Sequence, residues 1–279
     1  MKNNTPEIRT LMTNLGFGES PRWHNGRFWF ANWVANELIA LDLNGNSKVI
    51  LRMPSFPFSI DWLPDGSLLV VSGRERQLLR MEPDGSLVKN ANLSDLPDVG
   101  FNEIVVDGRG NVYVNGGSFN GPGIIALVAP DGSVRQVADG IAFPNGMAIT
   151  PDNTTLIIAE SYGKKLTAFD IAHDGSLSNR RVWADLGDGV PDGICMDAEG
   201  AVWYADVPNK RCVRVREGGE VLQTINVDRG CFACMLGGPE RKTLFVVAAE
   251  WHGFEKMTDG SRTGQVLSIE VPVKGVGWP

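Results

Sequence analysis

Four polar residues occupy one position of a phrase that the chain repeats. Glu19 stands in ESPRWHNGRFWFAN, Asn102 in FNEIVVDGRGNVYVNG, Asn145 in PNGMAITPDNTTLIIAES and Asp192 in PDGICMDAEGAVWYAD. Brought to one point, two carboxylates and two amides make an all-oxygen donor set that suits a hard divalent cation, and Glu19 with Asp192 balances its charge. Without a cation, crowding two buried negative charges costs several kcal/mol. Such an ion polarises a carbonyl oxygen, and a carboxylate beside it orients and deprotonates the water that attacks the carbonyl carbon. Asp192 is the candidate general base. No soft or nitrogen donor shares the position, which weighs against a His/Cys zinc site. Calcium is the first choice of ion, with zinc, manganese, magnesium and iron(II) left open. A serine-nucleophile scheme finds no GxSxG elbow to support it. Taken singly, Asn145-Gly146 and Asp192-Gly193 read as turn dipeptides, Glu19 as a solvated side chain and Asn102 as a loop cap. Their shared repeat position is what sets them apart from that reading.

Phe58 and Phe232 fill the same position in two further copies, FSIDWLPDGSLLVVSG and FACMLGGPERKTLFVVAA, so the six anchors lie 39, 44, 43, 47 and 40 residues apart. A period near 40 with strand signals and no convincing helical periodicity predicts an all-β fold. The expected architecture is a six-bladed β-propeller with four antiparallel strands per blade, forming a single domain over residues 1–279. In the fourth copy the strands are expected at about 146–149, 155–159, 166–170 and 179–184. LNGNS (43–47), PDGSL (83–87), PDGSV (130–134) and HDGSL (173–177) read as turns between outer strands. The last copy ends with GQVLSIEV (264–271) and lacks a fourth strand, so the segment around Glu7–Met12 is expected to close the last blade from the other end of the chain, removing two exposed edges.

In a propeller, equivalent positions of successive blades face one axis, so the six anchors ring one mouth of the central channel. Loops that follow each second strand return to that mouth. They carry Trp33 and Asn36, Arg74, Ser118 and Asn120, Ser161 and Tyr162, Asp206 and Asn209, and Trp251 and His252. This mixture suits a small, partly apolar organic substrate. Arg74, Trp251 and His252 are the preferred candidates for substrate contact.

Composition removes other classes. A net charge of −7 lacks the clustered cations that nucleic acid or an anionic membrane surface requires. No apolar run approaches the roughly 18 residues of a membrane span. MKNNTPEIRTLMTNLG has no apolar stretch after its lysine, which predicts no signal peptide and a cytoplasmic location. Cys231 and Cys234 form a lone CxxC; with Cys195 and Cys212 they are expected to be buried, reduced core residues.

GESPRW, FNEIVVDGRGN, FPNGMAITPDN and PDGICMDAEGAVW, in this order, resemble the signature segments of the SMP-30/gluconolactonase/luciferin-regenerating-enzyme-like (LRE) family, over about Gly16 to Val271. The resemblance implies a six-bladed propeller with one divalent metal in the central tunnel, hydrolysing sugar lactones or related esters. It matches Glu19, Asn145 and Asp192 to the metal ligands and Asn102 to a residue that contacts substrate or a metal-bound water. Vertebrate-type members carry a sugar-contacting Arg two residues before that asparagine. Here Gly100 stands in its place, which weighs against aldonolactones such as gluconolactone as preferred substrates. The expected partner is thus a small lactone or ester, with the protein a monomer or weak homo-oligomer. The competing expectation is a non-catalytic propeller that binds a metabolite or protein around a structural metal.

Overall fold

Runs such as Leu68-Leu69-Val70-Val71 and Val112-Tyr113-Val114 are rich in residues that fit a pleated surface, and both lie in strands (Leu68–Ser72 and Val112–Ser118). The computed structural model describes residues 7–118, 121–257 and 260–278. Their strands form six antiparallel sheets; four run in chain order from an inner strand outwards, one does so with a further C-terminal strand beside its inner strand, and one takes its outer strand from the N-terminal end. The inner strands are Gly18–His24, Phe58–Trp62, Gly100–Val106, Pro144–Ile149, Pro191–Asp197 and Gly230–Gly237. Each contacts the next, and the sixth contacts the first, so the sheets are the blades of a closed six-bladed propeller. Burial falls with distance from the axis. All of Gly230–Gly237 is buried, whereas the outermost strand Ser47–Arg52 has no buried residue.

The core lies between blades. Trp203, Phe245 and Phe28, from blades five, six and one, are essentially inaccessible and share one apolar cluster. Phe28 and Phe245 stack with ring centroids 4.7 Å apart. The four cysteines are free and buried, as their composition suggested.

Turn chemistry follows the sequence closely. In PDGSL the Asp84 carboxylate accepts from the Ser86 amide at 2.9 Å, and Gly85 adopts φ +85°, a conformation that glycine takes without steric cost. Asp131 and Asp174 build the same turn with Ser133 and Ser176. The fourth blade comprises Pro144–Ile149, Thr155–Glu160, Lys165–Ile171 and Leu177–Asp185, within about two residues of expectation at most ends.

Both ends of the chain are built into sheets. Ile8–Leu15 pairs antiparallel with Gly264–Glu270 and supplies the outer strand of blade six, three residues longer than the expected Glu7–Met12 segment at its far end. The C-terminal segment was not foreseen. Gly275–Val276 pairs with Met196–Asp197 as a fifth strand of blade five, and Trp278 forms a two-way backbone bridge with Ile149 in blade four (2.7 and 3.0 Å). Only two backbone registers define this strap, too short a pattern to be read as a strand from sequence. It crosses the ends of the inner strands opposite the anchor residues.

Truncation through Thr13 removes most of the closing strand and leaves Gly264–Glu270 as an open edge. The melting temperature is expected to fall by roughly 10 °C or more, equivalent to a few kcal/mol for a chain of this size; an unchanged value in a thermal scan would contradict closure by this strand.

Candidate active site

Each anchor lies near the start of an inner strand. In five of the six blades a register shift against the second strand falls at that point: between Glu19 and Arg22, Phe101 and Glu103, Pro144 and Met147, Pro191 and Ile194, and Cys231 and Ala233. Only the strand bearing Phe58 pairs without interruption. A bulge bends its strand and re-aims a side chain, so the interruption turns the anchors out of the pleat. Asn145-Gly146 and Asp192-Gly193 are therefore not turns but strand bulges. Their glycines are required by close approach: a Cβ on Gly146 would sit 2.5 Å from the Ile194 amide nitrogen, and one on Gly193 only 2.3 Å from the Ala233 Cβ.

Side chains tie three of these bulges to the neighbouring blade. Ser59 donates its hydroxyl to the Asn102 carbonyl, Asn115 Nδ2 donates to the Asn145 carbonyl at 2.6 Å, and Ser161 Oγ donates to the Pro191 carbonyl at 2.7 Å. Trp33 Nε1 likewise donates to the Phe58 carbonyl at 2.6 Å. The carbonyls freed by the bulges are thus satisfied from the side.

Glu19, Asn102, Asn145 and Asp192 all line one cavity of about 410 Å³ at the mouth. Its floor is acidic. Burial, then the Asp192 and Glu103 carboxylates, push Glu19 well above the ordinary carboxylate range. Burial, then Glu103 and Cys234, push Asp192 up, against a hydrogen bond from Asn145. Arg22, itself buried, donates to Glu103 at 3.0 Å and stands 3.5 Å from Asp61. Among the described residues no ion pair reaches Glu19 or Asp192. Asp192 Oδ1 is buried without a hydrogen-bond partner. Buried polar atoms are rarely left so, and this orphaned acceptor, with an uncompensated carboxylate across the cavity, fits a cation. Among the described residues no three His, Cys, Asp or Glu side chains could hold an ion by themselves. A cation bound there would need amide oxygens to complete its donor set, which suits a hard ion.

The walls are aromatic. Phe17 packs on Trp33, Phe232 and Trp251 at centroid distances of 5.7, 4.1 and 6.3 Å. Trp251 meets Phe254 at 4.9 Å, and Phe254 approaches Phe143, which stacks on Tyr162 at 4.4 Å. Trp33, Ser161, Tyr162 and Trp251 line the cavity as the loop geometry suggested. Arg74 and His252 are exposed and do not line it; His252 Nε2 stands 3.3 Å from a Glu250 carboxylate oxygen. Asn36, Ser118 and Asn209 are exposed, and Asp206 is buried against Asn209 and Arg211. Asn120 lies outside the described residues. Phe17, Phe56, Phe143 and Phe254 escaped the sequence reading. The first three precede the inner strands rather than follow the second ones. The Phe-Pro pairs at 56–57 and 143–144, just before an anchor, were the available signal.

Residues 17–250 match the family described as SMP-30/gluconolactonase/LRE-like region. The chain is 28% identical to a regucalcin of Xenopus laevis over 249 residues, 83% of each chain. It is 25% identical to the pentonolactonase XacC of Haloferax volcanii over 281 residues, 96% of this chain and 95% of that one. Among solved structures, a calcium-binding protein, regucalcin, from Agrobacterium tumefaciens superposes with a TM-score of 0.84 at 25% identity, covering 98% and 97% of the two chains. A Xanthomonas campestris gluconolactonase superposes at 0.78 with 20% identity over 96% and 91%, a likeness of fold.

Carboxylates in an unfolded chain titrate near pH 4. Glu19 and Asp192 sit above that when folded, so the ion-free folded state binds more protons than the unfolded one. The stability gained from that protonation is fully present below about pH 4 and is lost as pH rises through the raised values. Asp192→Asn relieves part of the load. Its melting temperature relative to chelator-treated wild type is expected to climb with pH above about 4, and calcium to close the gap by stabilising the wild type. A gap that does not change with pH would refute the uncompensated-charge account.

Proposed function

The chain belongs to the SMP-30/gluconolactonase/LRE-like family, and we propose that it is a hydrolase that opens a lactone or related small cyclic ester with the help of one divalent cation. The observation that carries this reading is the pair Glu19, buried, and Asp192, half-buried with its Oδ1 enclosed and unpartnered, neither with a counter-charge, at the floor of a substrate-sized cavity. Glu19, Asn145 and Asp192 would hold the ion, and calcium is preferred on the all-oxygen donors and on the calcium-binding description of the Agrobacterium neighbour. The ion, when bound, supplies Lewis-acid polarisation of the substrate carbonyl and stabilises the negative charge that grows on its oxygen.

The chain's own residues supply the rest. Asp192 is the general base: its carboxylate accepts a proton from the attacking water, while Asn145 holds it through a hydrogen bond. Asn145 is steadied in turn by Ser161, whose Oγ accepts from Asn145 Nδ2 at 3.4 Å. Asn102, half-buried in the same wall, offers an amide to substrate or water. Water adds its oxygen to the acyl carbon, the ring C–O bond breaks, and the product is a hydroxy acid. The aromatic walls exclude bulk water and so strengthen every charge interaction at the floor. The pentonolactonase name of the Haloferax relative supports a lactone as substrate.

Asp192→Asn keeps the shape of the side chain and removes the base. Lactone turnover, followed in a pH-stat, is expected to fall by about 10²–10⁴-fold. Glu19→Ala is expected to abolish both calcium binding by titration calorimetry and turnover, with circular dichroism unchanged. Wild-type rates from either variant after chelation would overturn the scheme, as would wild type that binds calcium yet opens no lactone.

A further inference from the structure

Resting on that hydrolase reading, we propose that the ring opened here carries an apolar, preferably aromatic, substituent in place of the hydroxyls of a sugar lactone. Above the acidic floor, the cavity offers little to a hydroxyl group. Among the described lining residues there is no Lys, Arg or His, and the polar groups are the four anchor side chains, Ser161, Tyr162 and two indole N–H groups, of which that of Trp33 is committed to the Phe58 carbonyl. Ser161 already donates to the Pro191 carbonyl and accepts from Asn145. Pro57, Pro144, Pro191 and Pro208 stand in the wall, and proline has no N–H to donate. The wall has room for a donor at Gly100, where an added Cβ would meet only the Gly117 carbonyl at 3.6 Å, but the residue is glycine.

What the mouth does offer is ring faces. Phe56, Tyr162 and Phe254 are 38%, 56% and 46% exposed around the opening, against the general tendency to cover large apolar side chains. Together with Trp33 and Trp251 they form a collar in which an aryl group stacks edge-on or offset. A polyhydroxylated chain in that collar would leave its hydroxyls unpaired. Apolar pockets discriminate against an added hydroxyl by roughly 10²-fold.

The test compares two lactones with the same five-membered ring, γ-phenyl-γ-butyrolactone and xylono-γ-lactone, on calcium-loaded protein. In each, water adds to the acyl carbon, the ring oxygen leaves and takes a proton, and the new carboxylic acid releases one proton to the pH-stat. We expect kcat/KM for the phenyl lactone to exceed that for the sugar lactone by about 100-fold. Trp251→Ala and Tyr162→Ala should each cut that advantage by about 10-fold, with Trp251→Phe restoring it. Equal or better use of the sugar lactone overturns this inference and leaves the hydrolase reading standing. If neither ring opens, the hydrolase reading fails and this inference, which concerns the ring that is opened, falls with it.

Discussion

Charge at the axis is the constraint on which the rest of the molecule depends. Glu19, Asp61, Glu103 and Asp192 come from four different blades and meet near one tunnel, and the one buried guanidinium among them, Arg22, pairs with Asp61 and Glu103. Glu19 and Asp192 are left to repel each other in a low-dielectric surrounding, a cost that persists only where the scaffold over-determines it. The scaffold does so through the bulges that aim these side chains inwards, the glycines that let the inner strands touch, and the hydroxyl and amide donors that tie three of the bulges to the next blade. Loosening any of these would let the carboxylates drift apart to water.

On the proposed reading the floor and the mouth divide the labour of recognition. The floor is acidic and wants a cation, whereas the walls are aromatic and proline-rich and want an apolar body. The second arrangement reinforces the first, because aromatic walls that exclude water lower the local dielectric and lengthen the reach of each charge below.

Much of this was legible because a propeller writes the same phrase six times. The position of Glu19, Asn102, Asn145 and Asp192 within that phrase was sufficient to bring them to one cavity, although they lie up to 173 residues apart (Asp192 minus Glu19). The Asx turns and the N-terminal splice were equally readable, from local chemistry and from a missing strand. Local reasoning failed where tertiary contact decides. Asn145-Gly146 looks like a turn, and only the Ile194 backbone pressed against Gly146 shows why it is a bulge. Arg74 sits in a loop of the right kind but points to solvent, since loop membership places a backbone without aiming a side chain. The returning-loop rule supplied Trp33, Tyr162 and Trp251 of the aromatic collar, whereas Phe56 stands on a segment that enters an inner strand, a direction that rule does not cover. The C-terminal strap makes too few ladder contacts to leave a periodic trace.

Closure of the ring also orders events in time. Ile8–Leu15 finds its partner strand about 260 residues later in the chain. At ordinary synthesis rates of 5–20 residues per second that is a wait of roughly 10–50 s on the ribosome. Through that interval the first strand is an unpaired edge, and each finished blade shows an uncovered apolar flank until its neighbour emerges. Closure of the ring is therefore a late event in synthesis, and the nascent chain is a natural client for chaperones that shield strand edges.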